Sequence, residues 1–231
     1  MKRNNLKKLF CVLSALTLTL AGCSAQQKEE SAPEETAAAE HAEVSASPET
    51  AEPEAEGKVL IAYFSRAGEN YNVGVVEKGS TQILAEMMAE ETGYDLFRIE
   101  TVKEYPVSYD EMLKVSTEEK NSNERPELKT SVDNFDDYDT VLLGYPIWWA
   151  DMPMAVYNFL ESYDFSGKTV YPFDTHAGSG LAGTVGSISQ TIPGADVKEG
   201  LAVAGTEVQN NPESARAAAV SWLKENGLIG E

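Results

Sequence analysis

Gly144-Tyr145-Pro146-Ile147-Trp148-Trp149 directly follows the apolar run Thr140-Val141-Leu142-Leu143, which places two adjacent indoles where a buried strand ends. Large rings on a loop are costly to leave bare, and in open parallel sheets ligands collect outside the carboxyl ends of the strands. The pair therefore asks for a flat aromatic molecule. Neighbouring loop residues do not both stack on one ligand face, so one of Trp148 and Trp149 covers the ligand and the other packs inward. Which one does so is left open, and for either ring alone core packing is the competing explanation. Pro146 and Ile147 belong to the same loop.

Two further segments have the chemistry of the other ends of such a ligand. Ser65-Arg66-Ala67-Gly68-Glu69-Asn70-Tyr71 follows an apolar strand, and Gly79-Ser80-Thr81 opens a helical pattern. Hydroxyls and free N–H groups at a helix start favour an anion, so Ser65, Ser80 and Thr81 are candidate phosphate ligands. Arg66 is available to the phosphate or to a nearby acid. The simpler alternative is that Ser80 or Thr81 only caps the helix, a contribution of about 1 kcal/mol. Asp174-Thr175-His176-Ala177-Gly178-Ser179-Gly180 offers glycines for close backbone approach, with Thr175 and Ser179 as hydrogen-bonding groups for ring heteroatoms. His176 is the candidate catalytic residue, a donor of a proton or hydrogen bond; a structural histidine is the competing assignment. No stretch ends in Gly-Lys-Ser/Thr as a P-loop would.

The elements that must position these loops alternate. Lys58 to Phe64, Asp95 to Glu100, Asp139 to Leu143, Thr169 to Phe173 and Val197 to Ala204 read as strands. Thr81 to Thr92, Met152 to Tyr163, Leu181 to Gln190 and Pro212 to Glu225 read as helices. Five strands alternating with helices predict an α/β fold, a doubly wound parallel sheet with helices on both faces. Tyr105 to Tyr138 breaks the alternation, with a helix expected over Ser108 to Thr117. Such a polar excursion either covers an edge of the site or decorates the surface, and decoration is the expectation because surfaces tolerate insertions.

In this order and placement, Tyr63-Phe64-Ser65-Arg66, Gly144-Tyr145-Pro146-Ile147-Trp148-Trp149 and Thr175-His176-Ala177-Gly178-Ser179-Gly180 resemble the flavodoxin-like family, over essentially all of Lys58 to Ala204. The resemblance implies a five-stranded sheet of order 2-1-3-4-5 and FMN as cofactor. It assigns Ser65, Ser80 and Thr81 to the phosphate loop, Trp148 and Trp149 to the ring loop, and Thr175, Gly178, Ser179 and Gly180 to the third loop. Where the family has a compact Ser/Thr-x-Thr-Gly-x-Thr turn, roughly a dozen residues separate Ser65-Arg66 from Gly79-Ser80-Thr81, a longer variant of the phosphate loop.

The first quarter of the 231 residues is not domain material. Lys2, Arg3, Lys7 and Lys8 precede the apolar run Phe10 to Leu20, which is short for a membrane span and reads as a signal peptide over residues 1–22. It ends in Leu20-Ala21-Gly22-Cys23, which resembles the lipobox of bacterial lipoproteins. Cys23 is then the lipidated residue and anchors the chain to the extracytoplasmic face of a bacterial membrane. Cys11 leaves with the signal, so no internal disulfide can form. Ser24 to Gly57 contains ten Glu, one Lys and no aromatic residue, and is expected to be a disordered linker spanning about 30 Å; a docking tail for a basic partner is the alternative.

From Lys58 onward 28 acidic residues face 13 Lys and Arg, a net charge of −15. With no cationic cluster, nucleic-acid binding is excluded. Negative charge opposes reduction to an anion and attracts basic partners, which suits low-potential electron transfer. A membrane-tethered electron carrier serving a redox protein partner is thus the first expectation. A nicotinamide-dependent FMN reductase acting on a quinone or other small acceptor is the second. A surface module that binds flavin or protein is the third.

Overall fold

The computed structural model describes residues 57–230. The signal segment, Cys23 and the acidic stretch through residue 56 lie outside the described residues. The elements run β1 (Lys58–Phe64), β2 (Gly68–Asn70), β3 (Gly74–Val76), α1 (Ser80–Thr92), β4 (Asp95–Ile99), α2 (Tyr109–Ser122), β5 (Tyr138–Pro146), α3 (Met154–Glu161), β6 (Thr169–His176), α4 (Thr184–Thr191), β7 (Asp196–Val197), β8 (Leu201–Ala204), α5 (Gly205–Asn210) and α6 (Pro212–Glu225).

Side chains alternate across a strand, and the six buried apolar residues of β1 divide accordingly. Val59, Ile61 and Tyr63 pack with Leu84, Ala85 and Met88 of α1 and Ala215, Ala219 and Leu223 of α6. Leu60, Ala62 and Phe64 pack on the other face with Val156, Phe159 and Leu160 of α3 and Ile188 of α4. Each large aliphatic side chain buried in this way contributes about 1.5–3 kcal/mol, so two helical layers hold the sheet from both sides.

The sheet is parallel, in the order β4-β1-β5-β6, with β7 and β8 both paired to β6. Taken as principal strands this is 2-1-3-4-5, as expected. The fifth strand differs in being broken. Val197 pairs with Val170 and Leu201 with Phe173, so three residues bulge against two. Pro172, with no N–H to donate, lies opposite the interruption.

Other boundaries shift for local reasons. The third helix begins at Met154, not Met152, because Pro153 stands at its N-cap. The fourth begins at Thr184 because Ala182 and Gly183 are left-handed and form a turn first. The long first loop contains the antiparallel hairpin β2–β3, and α5 is an additional short helix. Gly144 at the head of the Trp motif serves packing: it pairs with Phe173, and a Cβ there would lie 2.3 Å from the Phe173 ring. Among the described residues no helix is long and apolar enough to cross a membrane.

Candidate functional site

The strand order reverses between β1 and β5, and a cavity of about 240 Å³ opens at the carboxyl ends of β1, β5 and β6. This is the switch point at which open α/β sheets bind ligands. Its lining combines polar side chains, Ser65, Arg66, Asn70, Ser80, Thr81, Thr175 and His176, with aromatic and apolar ones, Tyr71, Tyr109, Met112, Leu113, Trp148 and Trp149. Pro146 and Ile147 also line it, and the Ile147 N–H donates to the Thr175 carbonyl at 3.0 Å, tying the Trp loop to β6.

α1 opens at Gly79 with no side-chain cap, so its first-turn N–H groups are left for another acceptor, as at an anion site. Gly79 is extended (φ −67°), and its value is close approach. A Cβ there would sit 2.3 Å from Ser65 Oγ and 2.4 Å from the Arg66 carbonyl. Thr81 Oγ1 and Thr175 Oγ1 share a buried hydrogen bond of 2.7 Å, while Ser80 donates to the Gly205 carbonyl at 3.1 Å. Neither Ser80 nor Thr81 caps its own helix.

Arg66 lines the cavity and is engaged by backbone carbonyls. Its terminal nitrogens donate to the carbonyls of Ala67 (3.0 Å), Glu69 and Val107 (3.5 Å), and among the described residues no acid pairs with it. The guanidinium is buried and knits the hairpin to the segment before α2; only its buried Nε is without a partner. Burial lowers its pKa from the usual arginine value.

The two indoles separate cleanly. Trp148 is packed edge-on against Phe64 (5.5 Å) and Tyr105 (5.2 Å), and Tyr105 in turn donates to Glu119 at 2.8 Å. Trp149 is 49% exposed at the cavity mouth. Trp149 and Ala150 have φ of 54° and 56° and form a two-residue turn closed by Trp148 N–H to Asp151 O (2.8 Å) and Asp151 N–H to Trp148 O (3.0 Å). Left-handed backbone costs a non-glycine residue about 1–2 kcal/mol, so two in succession mark a turn held by its surroundings.

The third loop contributes less than expected. Thr175, His176 and Ala177 line the cavity, but Gly178, Ser179 and Gly180 do not. Gly178 and Gly180 are left-handed, and the loop curls so that the Gly178 N–H donates to His176 Nδ1 at 2.9 Å. That bond selects the neutral tautomer with its proton on Nε2. Burial lowers the His176 pKa from 6.5, which reinforces the neutral form. One residue before Thr175, Asp174 is fully buried with both carboxylate oxygens unpartnered, and burial pushes its pKa up to about 8.

The excursion between the second and third principal strands is no surface decoration. Its helix runs to Ser122, beyond the expected end at Thr117, and Tyr109, Met112, Leu113 and Ser116 line the cavity. These residues recur at i, i+3, i+4 and i+7, a helical stripe present in the sequence but dispersed among polar residues. Tyr71 stacks on Tyr109 with ring centroids 6.0 Å apart, so the hairpin and α2 share one wall.

A sequence model described as flavodoxin matches residues 58–215, more than half of the chain. No curated protein matches the chain. Among solved structures, a candidate flavoprotein from Bacteroides eggerthii DSM 20697 is 29% identical with a TM-score of 0.60, covering 75% of this chain and 99% of that one. A second, from Bacteroides uniformis ATCC 8492, is 28% identical with a TM-score of 0.58, covering 73% and 98%. A flavoprotein in complex with FMN from Lactobacillus acidophilus NCFM, 22% identical with a TM-score of 0.51 and covering 66% and 96%, shares the fold. With the sheet order, the switch-point cavity and the family match in agreement, the chain belongs to the flavodoxin family.

Proposed function

We propose that this protein transfers electrons through FMN held in the switch-point cavity. The observation that carries the reading is that one cavity combines an uncapped helix start and hydroxyls with aromatic side chains, which fits a phosphate joined to a flat ring. FMN supplies the redox chemistry when bound. Ser65 and the first turn of α1 hold the phosphate, with Ser80 and Thr81 framing it. Trp149 covers the ring, while Trp148 supports the loop from the core side. Thr175 bonds to Thr81, and His176 offers the ring a hydrogen bond from Nε2.

In this reading the domain is tethered to the extracytoplasmic side of a bacterial membrane by lipid on Cys23, supported by the Leu20-Ala21-Gly22-Cys23 sequence. Its partner is a redox protein with a basic face, supported by the net charge of −15 from Lys58 onward. A second reading, reduction of a quinone or other small acceptor by a nicotinamide donor, draws on Tyr109, Met112 and Leu113, which line the cavity, and on the proton available at His176 Nε2.

An FMN titration followed by flavin fluorescence tests the cofactor, and an anaerobic titration with dithionite and then NADH or NADPH separates the two readings. Dithionite reduction without steady oxidation of nicotinamide in the presence of quinones supports the carrier; rapid nicotinamide oxidation with quinone turnover supports the reductase. Absence of FMN binding would sink both. Trp149→Ala is expected to weaken FMN binding at least tenfold, about 1.4 kcal/mol. Unchanged affinity would remove Trp149 from the ring face.

A further inference from the structure

The turn that presents Trp149 is held from outside by one helix. Lys120 Nζ donates to the Trp149 carbonyl at 3.1 Å and pairs with Asp151 Oδ2 at 3.1 Å. One turn earlier on α2, Ser116 Oγ accepts the Trp149 indole N–H at 3.1 Å. Residues four apart lie on the same helical face, so α2 grips both the backbone and the ring of Trp149. Asp151 is fixed in turn, its Oδ1 accepting the Met152 N–H at 2.9 Å and the Tyr157 hydroxyl at 3.0 Å.

An exposed Lys–Asp pair by itself contributes little. Here the same ammonium also holds the carbonyl of a residue in left-handed backbone, next to a second one, where the free chain would prefer other conformations. Lys120 does not line the cavity, so its influence passes through the turn. The geometry points to Lys120 as the positioning residue for the ring-facing indole: it fixes the Trp149 turn before the ligand arrives and thereby sets the affinity and reduction potential of the bound flavin. This inference rests on the FMN reading above for its effect on the cofactor, but the positioning of Trp149 is testable without it.

In the full-length protein, Lys120→Met is expected to shift the Trp149 emission and increase its quenching by acrylamide in the cofactor-free state, isolated by subtracting the same variant carrying Trp149→Phe. FMN binding should weaken about tenfold, the midpoint potential should move, and Lys120→Arg should restore all three. Combined with Trp149→Ala, Lys120→Met should add no further loss of FMN affinity, because both changes act through one indole. Unchanged Trp149 emission and quenching in Lys120→Met overturns the proposal, as does an undiminished effect of Lys120→Met in the Trp149→Ala background. A lowered melting temperature with unaltered Trp149 signals would assign Lys120 to stability alone and also overturn it. If the wild type binds no FMN, the flavin reading fails, while the cofactor-free Trp149 signal still decides whether Lys120 positions the ring.

Discussion

Asp174→Asn is expected to make the protein more stable at pH 7 to 8 by several kcal/mol, while leaving its stability near pH 4 almost unchanged. Asp174 sits at the carboxyl end of a central strand, fully buried, with no partner for either oxygen. Burial in a medium that cannot solvate the anion favours the acid form, and the pKa rises from 3.8 to about 8. The folded protein therefore binds a proton that the unfolded chain has already released. Below pH 3.8 both states are protonated and the carboxyl is neutral to folding. Between 3.8 and about 8 only the unfolded state gains by ionising, so stability falls as pH rises, and the loss is complete once pH passes the folded pKa. At about 1.36 kcal/mol per pH unit, the accumulated loss at pH 7 is on the order of 4 kcal/mol.

Asn has nearly the same shape and no such titration, so it removes the pH-dependent penalty and retains a buried polar group. Urea unfolding from pH 4 to 9 measures this directly: the two proteins should diverge with rising pH. Curves that remain parallel would show that Asp174 has a partner or is solvated. The functional counterpart is local. A neutral Asp174 puts no charge beneath Thr175, whose hydroxyl lines the cavity and bonds to Thr81.

The second large effect is expected at the start of α1. Gly79→Ala should weaken FMN binding roughly 100-fold, about 2.7 kcal/mol. The added Cβ would meet Ser65 Oγ and, less forgivingly, the backbone carbonyl of Arg66. The start of α1 and the Ser65 loop must then move apart, and hydrogen bonds from N–H groups to a charged phosphate are worth about 1.5–3 kcal/mol each. Loss of one or two accounts for the expected change. Riboflavin, which lacks the phosphate, is the internal control: its affinity should fall much less. An equal loss for FMN and riboflavin would show that the α1 start does not hold the phosphate, and melting temperatures of the free proteins separate this from general destabilisation.

Both effects arise at positions whose importance is hidden in one dimension. Asp174 reads in the sequence as a polar loop residue after an expected strand end at Phe173, whereas the strand continues to His176 and carries the carboxylate into the core. Gly79 reads as the residue before a helix, and its tight contact with Ser65 and Arg66 joins residues more than a dozen positions apart. Asp, Thr and His lack the apolar signature of a buried segment, but their pairing with β5 and β8 extends the strand.

Local physics sets the limits of two elements. The buried strand Lys58–Phe64 and the helix Pro212–Glu225 have the expected limits, because an apolar run and a proline at the first helical turn each act within a few residues. The order of apolar and amphipathic segments likewise determined the doubly wound sheet, and with it the edge on which Ser65, Thr81, Trp149, Thr175 and His176 meet.

The roles within that site depended on contacts between distant segments. Trp148 and Trp149 are chemically identical neighbours; Phe64 and Tyr105 draw one into the core, while Ser116 and Lys120 hold the other at the cavity. Arg66 was an available cation until the carbonyls of Ala67, Glu69 and Val107 claimed its terminal nitrogens. Gly178, Ser179 and Gly180 had suitable chemistry, but the turn of their loop carried them off the cavity wall. The sequence by itself determined the sheet, its functional edge and the residue types that supply the chemistry, since periodicity and strand-end placement are short-range properties. Only the tertiary structure decided which indole packs against the core and which is exposed, that α2 forms a wall of the cavity and that Asp174 is buried, because burial and hydrogen-bond partners come from segments far apart in the chain.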